Sequence, residues 1–289
     1  MPLDQEFEKE LEQGEGQEMS FLEHLEELRW HIIRSVGSVL VFAVIAFVYI
    51  EELYHHVIMA PSRSDFWTYR MLCTLGKKVG ADGLCVGELN FTIQNIEMGG
   101  QFTMGMMSAA IFGLLFAFPY AFWEVWRFIM PGLKKSERSA ARGAVFYVTM
   151  LFFSGVFFGY YIVSPLAINF LANFQLDPSI QNQISVTSYI STIATLTLAC
   201  GVAFQLPVVV FVLSKAGILT PKFMRTYRRH SVVVILIVAA IITPSPDIYS
   251  QVLVAMPLML LYEIGIVVSG RVEKARLSES TALDTTSGD

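Results

Sequence analysis

The stretch FLEHLEELRWHIIRSVGSVLVFAVIAFVYI, residues 21–50, passes from an acidic, amphipathic opening into a long apolar run. Phe21, Leu25, Leu28 and Ile32 recur at helical spacing, so its first part reads as a helix with one apolar stripe. From residue 32 onward the run is long enough, at about 1.5 Å per residue, to cross ~30 Å of hydrocarbon. A charged helix that leads straight into a membrane span decides the class of the protein. It also raises the question of what Glu23, Glu26 and Glu27 do at a membrane edge.

Nearly charge-free intervals recur along the rest of the chain, and spans are expected near 32–50, 102–123, 143–163, 189–213, 231–245 and 251–268. These intervals predict an all-α integral membrane protein with six transmembrane helices. A hydrophobic content of 54% and a mean hydropathy of +0.54 exclude a single soluble domain. The last two intervals are short: Ser231 to Pro246 holds 16 uncharged residues, roughly 24 Å of helix. Short spans thin the bilayer or sit beside longer neighbours. Residues 1–19 read as an acidic, disordered tail, 20–270 as one membrane domain and 271–289 as a C-terminal tail. The opening lacks a basic segment and a small-residue cleavage site, so the first span is expected to be retained. The net charge of −5 and the lack of a basic face give no sign of nucleic acid binding.

Retained lysine and arginine mark the cytoplasmic side of a membrane protein. Five lie between Arg127 and Arg142, five between Lys215 and Arg229, and three from Arg271 to Arg276. The alternate loops near 164–188 and 244–250 have none. The loop from Glu51 to Gln101 dissents with four, but over a length at which the rule weakens. Both termini are therefore expected in the cytoplasm. Cys73 and Cys85 then fall in the long outer loop, where they could form a disulfide or remain two thiols. Cys200 lies within a span and reads as a small packing residue.

No phosphate-binding glycine loop, zinc-protease signature or nucleophile elbow is present, which leaves neither an enzyme, a metal site nor a cofactor to propose. The informative residues are acids at the inner edge and polar groups inside spans. Ser20 followed by Glu23 fits a capping box, and Glu26 can pair with Arg29. Glu27 differs: its helical neighbours are Glu23, His24 and His31, so only a protonated histidine would answer its charge. A second acid, Glu137, follows Phe128 and Pro131 in the first inner loop, among Lys134, Lys135 and Arg138. It either pairs with those cations on a solvated face or joins Glu27 in accepting arginines from a ligand.

The motifs HLEELR at 24–29, FxxPGLxxxER from Phe128 to Arg138, SPLAINFL at 164–171, FQLPVVV from Phe204, TPSPDIYSQ at 243–251 and PLMLLYEIG from Pro257 resemble the TatC family, the large subunit of the twin-arginine protein translocase. They occur in that family's order across about 20–270. The resemblance implies a TatC-like concave bundle in the plasma (inner) membrane, with both ends cytoplasmic. It also implies binding of the twin-arginine signal peptides of folded cargo, TatA- and TatB-type single-span partners, a homo-oligomeric complex and a proton gradient as the energy source. By motif, Glu27 and Glu137 would meet the two signal arginines, Phe128 would shape that site and Pro131 would hold its loop.

Gln205 lies ten residues before Lys215, inside a span, where many family members have glutamate. The amide keeps polarity and loses charge, so it offers hydrogen bonds to a partner helix or to its packing neighbours. Asp247 occupies the turn between the two short spans, where proline and aspartate are ordinary turn formers. Glu263, near the inner end of the final span, could reach the interface, Arg271 or a partner helix. His31 and Trp30 stand where many relatives are basic, and the Cys73–Cys85 region looks like added length. A small-solute secondary transporter is the rival reading, but it would want an internal repeat and a charged midplane site.

Overall fold

The computed structural model describes residues 21–80, 91–129, 138–177, 182–243 and 248–286. Pro131, Glu137, Asp247, Cys85 and the acidic segment 1–19 lie outside them. The first helix, α1, spans Phe21–Val48, and a short helix Ile50–Leu53, a π turn Tyr54–Ile58 and a 3-10 turn Ala60–Ser62 follow it. Then come α2 (Trp67–Val79), β1 (Thr92–Gln94), α3 (Gly100–Ile129), α4 (Arg138–Phe158), a π turn Gly159–Val163 and α5 (Ser164–Asn173). The chain continues through β2 (Gln183–Ser185), α6 (Val186–Ala203), α7 (Leu206–Lys215), α8 (Pro221–Thr226), α9 (Arg228–Ile242) and α10 (Ile248–Thr286).

Among the described residues, five stretches are long and apolar enough to cross a membrane: Glu26–Val48, Gly100–Phe128, Val145–Asn173, Val186–Lys215 and Ser250–Ala275. The interval expected as the fifth of six spans folds as the 15-residue α9, about 22 Å long and antiparallel to α10. The final helix runs without a break past residue 270 to Thr286.

Helices in lipid gain nothing from hiding apolar surface from one another, so close packing of small residues decides which ones touch. On α3, a Cβ at Gly113 would come within 2.7 Å of the backbone nitrogen of Ala43, so α1 crosses at that point with its main chain against α3. The two helices run antiparallel, with Ile50 beside Gly105 at one end and His31 beside Glu124 at the other. Gly155 and Gly159, four apart at the α4 end, face α6: an added Cβ would meet the Cys200 carbonyl at 2.6 Å and the Thr197 Cα at 2.9 Å. Deeper in the bundle, Val163, Ala167, Leu196, Ala239, Val254 and Leu258 form a buried core that joins α5, α6, α9 and α10.

At the end carrying the long first loop, irregular backbone is held by tyrosines. Tyr160 donates to the Val57 carbonyl at 2.6 Å, Tyr189 to that of Ile58 at 2.9 Å, and Tyr69 to those of Pro61 and Pro165 at 3.1 and 2.9 Å. Carbonyls freed by the π and 3-10 turns thereby keep partners, as a low-dielectric site requires. A short parallel ladder, Thr92 to Gln183 through Gln94 to Ser185, ties the two loops of that end together.

Candidate functional site

The opposite end of the α1–α3 pair holds the polar cluster. Glu27 and His31 are one helical turn apart on α1, and the histidine points into the crossing with α3. Its Nδ1 lies 2.5 Å from Oε2 of Glu124, which is 1% exposed, and Tyr120 donates its hydroxyl to the other carboxylate oxygen at 2.8 Å. Phe128, one turn beyond Glu124, meets the His31 ring edge-on at a centroid distance of 6.0 Å. Arg34 and Arg127 add positive potential around Tyr120, and the Arg127 guanidinium also lies over the Trp123 ring at 5.6 Å.

A lone carboxylate buried at such a place would cost several kcal/mol, on the order of 3–5 when its partner is removed. Both oxygens of Glu124 are hydrogen-bonded, so this side chain is occupied internally. Glu27 is different. It is 40% exposed, and among the described residues the one ion-pairing candidate beside it is His31, whose Nε2 lies at 4.0 Å, beyond hydrogen-bond distance. Its carboxylate therefore keeps acceptor capacity facing outward, which suits the planar fork of a guanidinium.

Glu27, His31 and Phe128 come together as their helical positions allow, but Glu124 was absent from the sequence reading. The expected second span ended at residue 123 and left this acid among interfacial residues. The signal was an acid between Trp123 and Trp126 with apolar residues on both sides, a costly placement unless paired. Its partner is 93 residues away, and no local pattern links them.

The remaining predicted residues are dispersed. Gln205 sits at the break between α6 and α7 that Pro207 imposes, and its Nε2 donates to the Val148 carbonyl of α4 at 3.2 Å. Its Oε1 is buried without a hydrogen-bond partner among the described residues. Glu263 pairs with Arg228 across α10 and α9, instead of with Arg271, and both side chains are exposed. Cys73 is disulfide-bonded on α2, while Cys200 is a buried free thiol in α6.

Comparison with known proteins follows this geometry. The family model for the Sec-independent protein translocase protein (TatC) matches residues 23–257. The chain belongs to the TatC family. The TatC of Blattabacterium sp. subsp. Periplaneta americana (strain BPLAN) is 36% identical over 265 residues, covering 91% of this chain and 99% of that protein. The TatC of Carboxydothermus hydrogenoformans is 30% identical over 264 residues, covering 91% and 98%. A crystal structure of the twin arginine translocase receptor TatC superposes with a TM-score of 0.63 at 29% identity, over 86% of this chain and 99% of that one. A second, in DDM, gives 0.66 at 30% identity, over 85% and 99%. The protein is thus a membrane-embedded component of a Sec-independent protein translocase. In this chain, the motif that begins at His24 supplies Glu27 to the cluster, and the helix leading into PGL supplies Glu124 and Phe128.

Proposed function

We propose that this protein is the signal-peptide receptor of its translocase, and that Glu27 accepts one guanidinium of the twin-arginine pair. The observation that carries the reading is a half-exposed carboxylate with spare acceptor capacity, mounted on a crossing whose buried acid, Glu124, is already satisfied by His31 and Tyr120. Glu137, immediately before the first residue of α4, would take the second arginine. Pro131 would shape the connecting loop, and Phe128 would wall the site beside His31. His31 and Glu124 act as positioning residues: they hold the α1–α3 crossing and keep a rigid polar floor under Glu27.

The chain would cross the plasma (inner) membrane six times, with α9 as the short span and both termini in the cytoplasm, as the lysine and arginine distribution favours. As a transport subunit and not a catalyst, it would work with TatA- and TatB-type single-span proteins, as several copies within a larger complex driven by the proton gradient. Gln205 and Glu263 are the polar groups offered to partner helices. Asp247 would shape the turn between the last two spans, and Cys73 would pair with Cys85 in the first outer loop.

The test is a binding titration of the reconstituted protein with a twin-arginine peptide and its twin-lysine variant. Preference for arginine, lost in Glu27→Gln and in Glu137→Gln, is the expected result. Equal binding of both peptides would overturn the docking role.

A further inference from the structure

The helix α2 turns one side to the bundle and leaves the rest of its surface outside both the core and the docking cluster. Around its axis three faces can be told apart. Thr68 and Tyr69 form the inward face, 4% and 2% exposed, with Thr68 bonded to the carbonyl of Tyr161 and Tyr69 to that of Pro165. Trp67, Met71 and Leu75, each advanced by about 40° around the axis, form a second face that is 49, 46 and 44% exposed. Arg70, Thr74 and Lys77 line a third, solvent-accessible face. The helix carries three basic residues and no acidic one; Lys78, in the last turn, falls between Trp67 and Met71 around the axis, and its long side chain reaches from there to the headgroup level.

The exposed apolar face continues a surface that already faces lipid. Phe157 and Tyr161, exposed on the span Val145–Asn173, lie tilted against one another at 6.3 Å, and Trp67 meets Tyr161 edge-on at 6.1 Å. Tyr161 lies 16 residues beyond Val145, about 24 Å along a helix, close to the far boundary of ~30 Å of hydrocarbon. The hydrogen bond from Thr68 fixes α2 at that depth, where the amphipathic rings of tryptophan and tyrosine settle. An apolar face beside a cationic face at the acyl–headgroup boundary has the layout of a helix lying in the membrane surface.

We infer that α2 is an interfacial helix, with Trp67, Met71 and Leu75 seated in the acyl region of one leaflet and Arg70, Lys77 and Lys78 on the phosphates of anionic phospholipids. It anchors the first-loop end of the bundle to the bilayer. The anchor does not depend on which arginine-binding residues serve the docking site.

Spin labels introduced as non-canonical amino acids, which spare Cys73, report its depth at Met71 and at Thr74 in the full chain. The protein is reconstituted into vesicles of phosphatidylcholine alone or of phosphatidylcholine with phosphatidylglycerol. At position 71 collisions with oxygen are expected to exceed those with a water-soluble nickel chelate several-fold, and at 74 the order reverses. Equal chelate access at both positions would overturn the proposal, and so would exclusion of both quenchers from 71, which marks a protein partner or a second copy. With phosphatidylglycerol present, K77Q/K78Q is expected to move label 71 towards water, with no shift in phosphatidylcholine alone. An identical depth in both vesicle types, with and without the substitutions, would remove the anionic-lipid part.

Discussion

Two acid–base pairs lie at the same end of the bundle and differ in nearly everything that sets their worth. His31 and Glu124 join α1 to α3 with both side chains buried, 7% and 1% exposed. Arg228 and Glu263 join α9 to α10 with 57% and 46% of their surfaces exposed. The buried pair has been stripped of water, and a third group, Tyr120, completes its hydrogen bonding, so removing His31 strands a carboxylate and removing Glu124 leaves a buried ring nitrogen unpaired. The exposed pair can be replaced by hydration at little cost. Proximity to the same membrane edge therefore says little about an ion pair's weight, whereas its access to water says a great deal.

The largest effect is expected where that contrast is broken from the buried side. Glu124→Leu or His31→Leu alone should destabilise the folded protein by about 3–5 kcal/mol. The double substitution should recover most of the loss, because it leaves no unpaired charge. Thermal unfolding in detergent, followed by intrinsic fluorescence, checks this, and a double variant as unstable as the worse single one would show that the pair is attractive beyond its own desolvation. Next comes Glu27→Ala, which leaves stability within about 0.5 kcal/mol, as for other surface changes. It should weaken twin-arginine peptide binding by about 1.5–3 kcal/mol, the worth of a hydrogen bond to a charged group, as read by titration. An Ala at Gly113 probes the crossing itself. Its methyl would meet the Ala43 backbone, so about 1–3 kcal/mol of strain is expected, together with weaker peptide binding as the cluster is pushed apart. Arg228→Ala, on the exposed side, should cost no more than about 1 kcal/mol, and raised salt should erase that difference.

A buried polar group need not be charged to show the same rule. Gln205 lies at a helix break and has one half of its amide bonded to α4 and the other half without a hydrogen-bond partner among the described residues. A glutamate at this place would bring a charge where Gln205 brings only a dipole. The amide is thus the milder of the two groups to hold beside a broken span.

Much of the fold was legible because membrane spans announce themselves locally. Length and apolarity delimited five stretches that the structure also makes long and apolar, and Pro207 marked the break in one of them. The short interval near 231–245 folds as α9 over Arg228–Ile242, and its place beside α10 rests on contacts such as Gln251 with the Leu236 carbonyl, which no pattern reveals. At the site, Glu27 and His31 were visible as neighbours because a helix repeats every 3.6 residues. Glu124 was hidden, since an acid at a span's edge looks like any interfacial charge until its partner is known.

What the sequence by itself determined was the set of apolar helices, the outward-facing acid near the start of α1 and the family motifs, all of which depend on residues close together along the chain. Tertiary structure alone decided that Glu124 would be buried against His31, that Glu263 would meet Arg228, and that α2 would hang from Tyr161 and Pro165. The physical reason lies in close approach. Missing side chains at Gly113, Gly155 and Gly159 let backbones touch, and those contacts choose which distant polar groups lose water together.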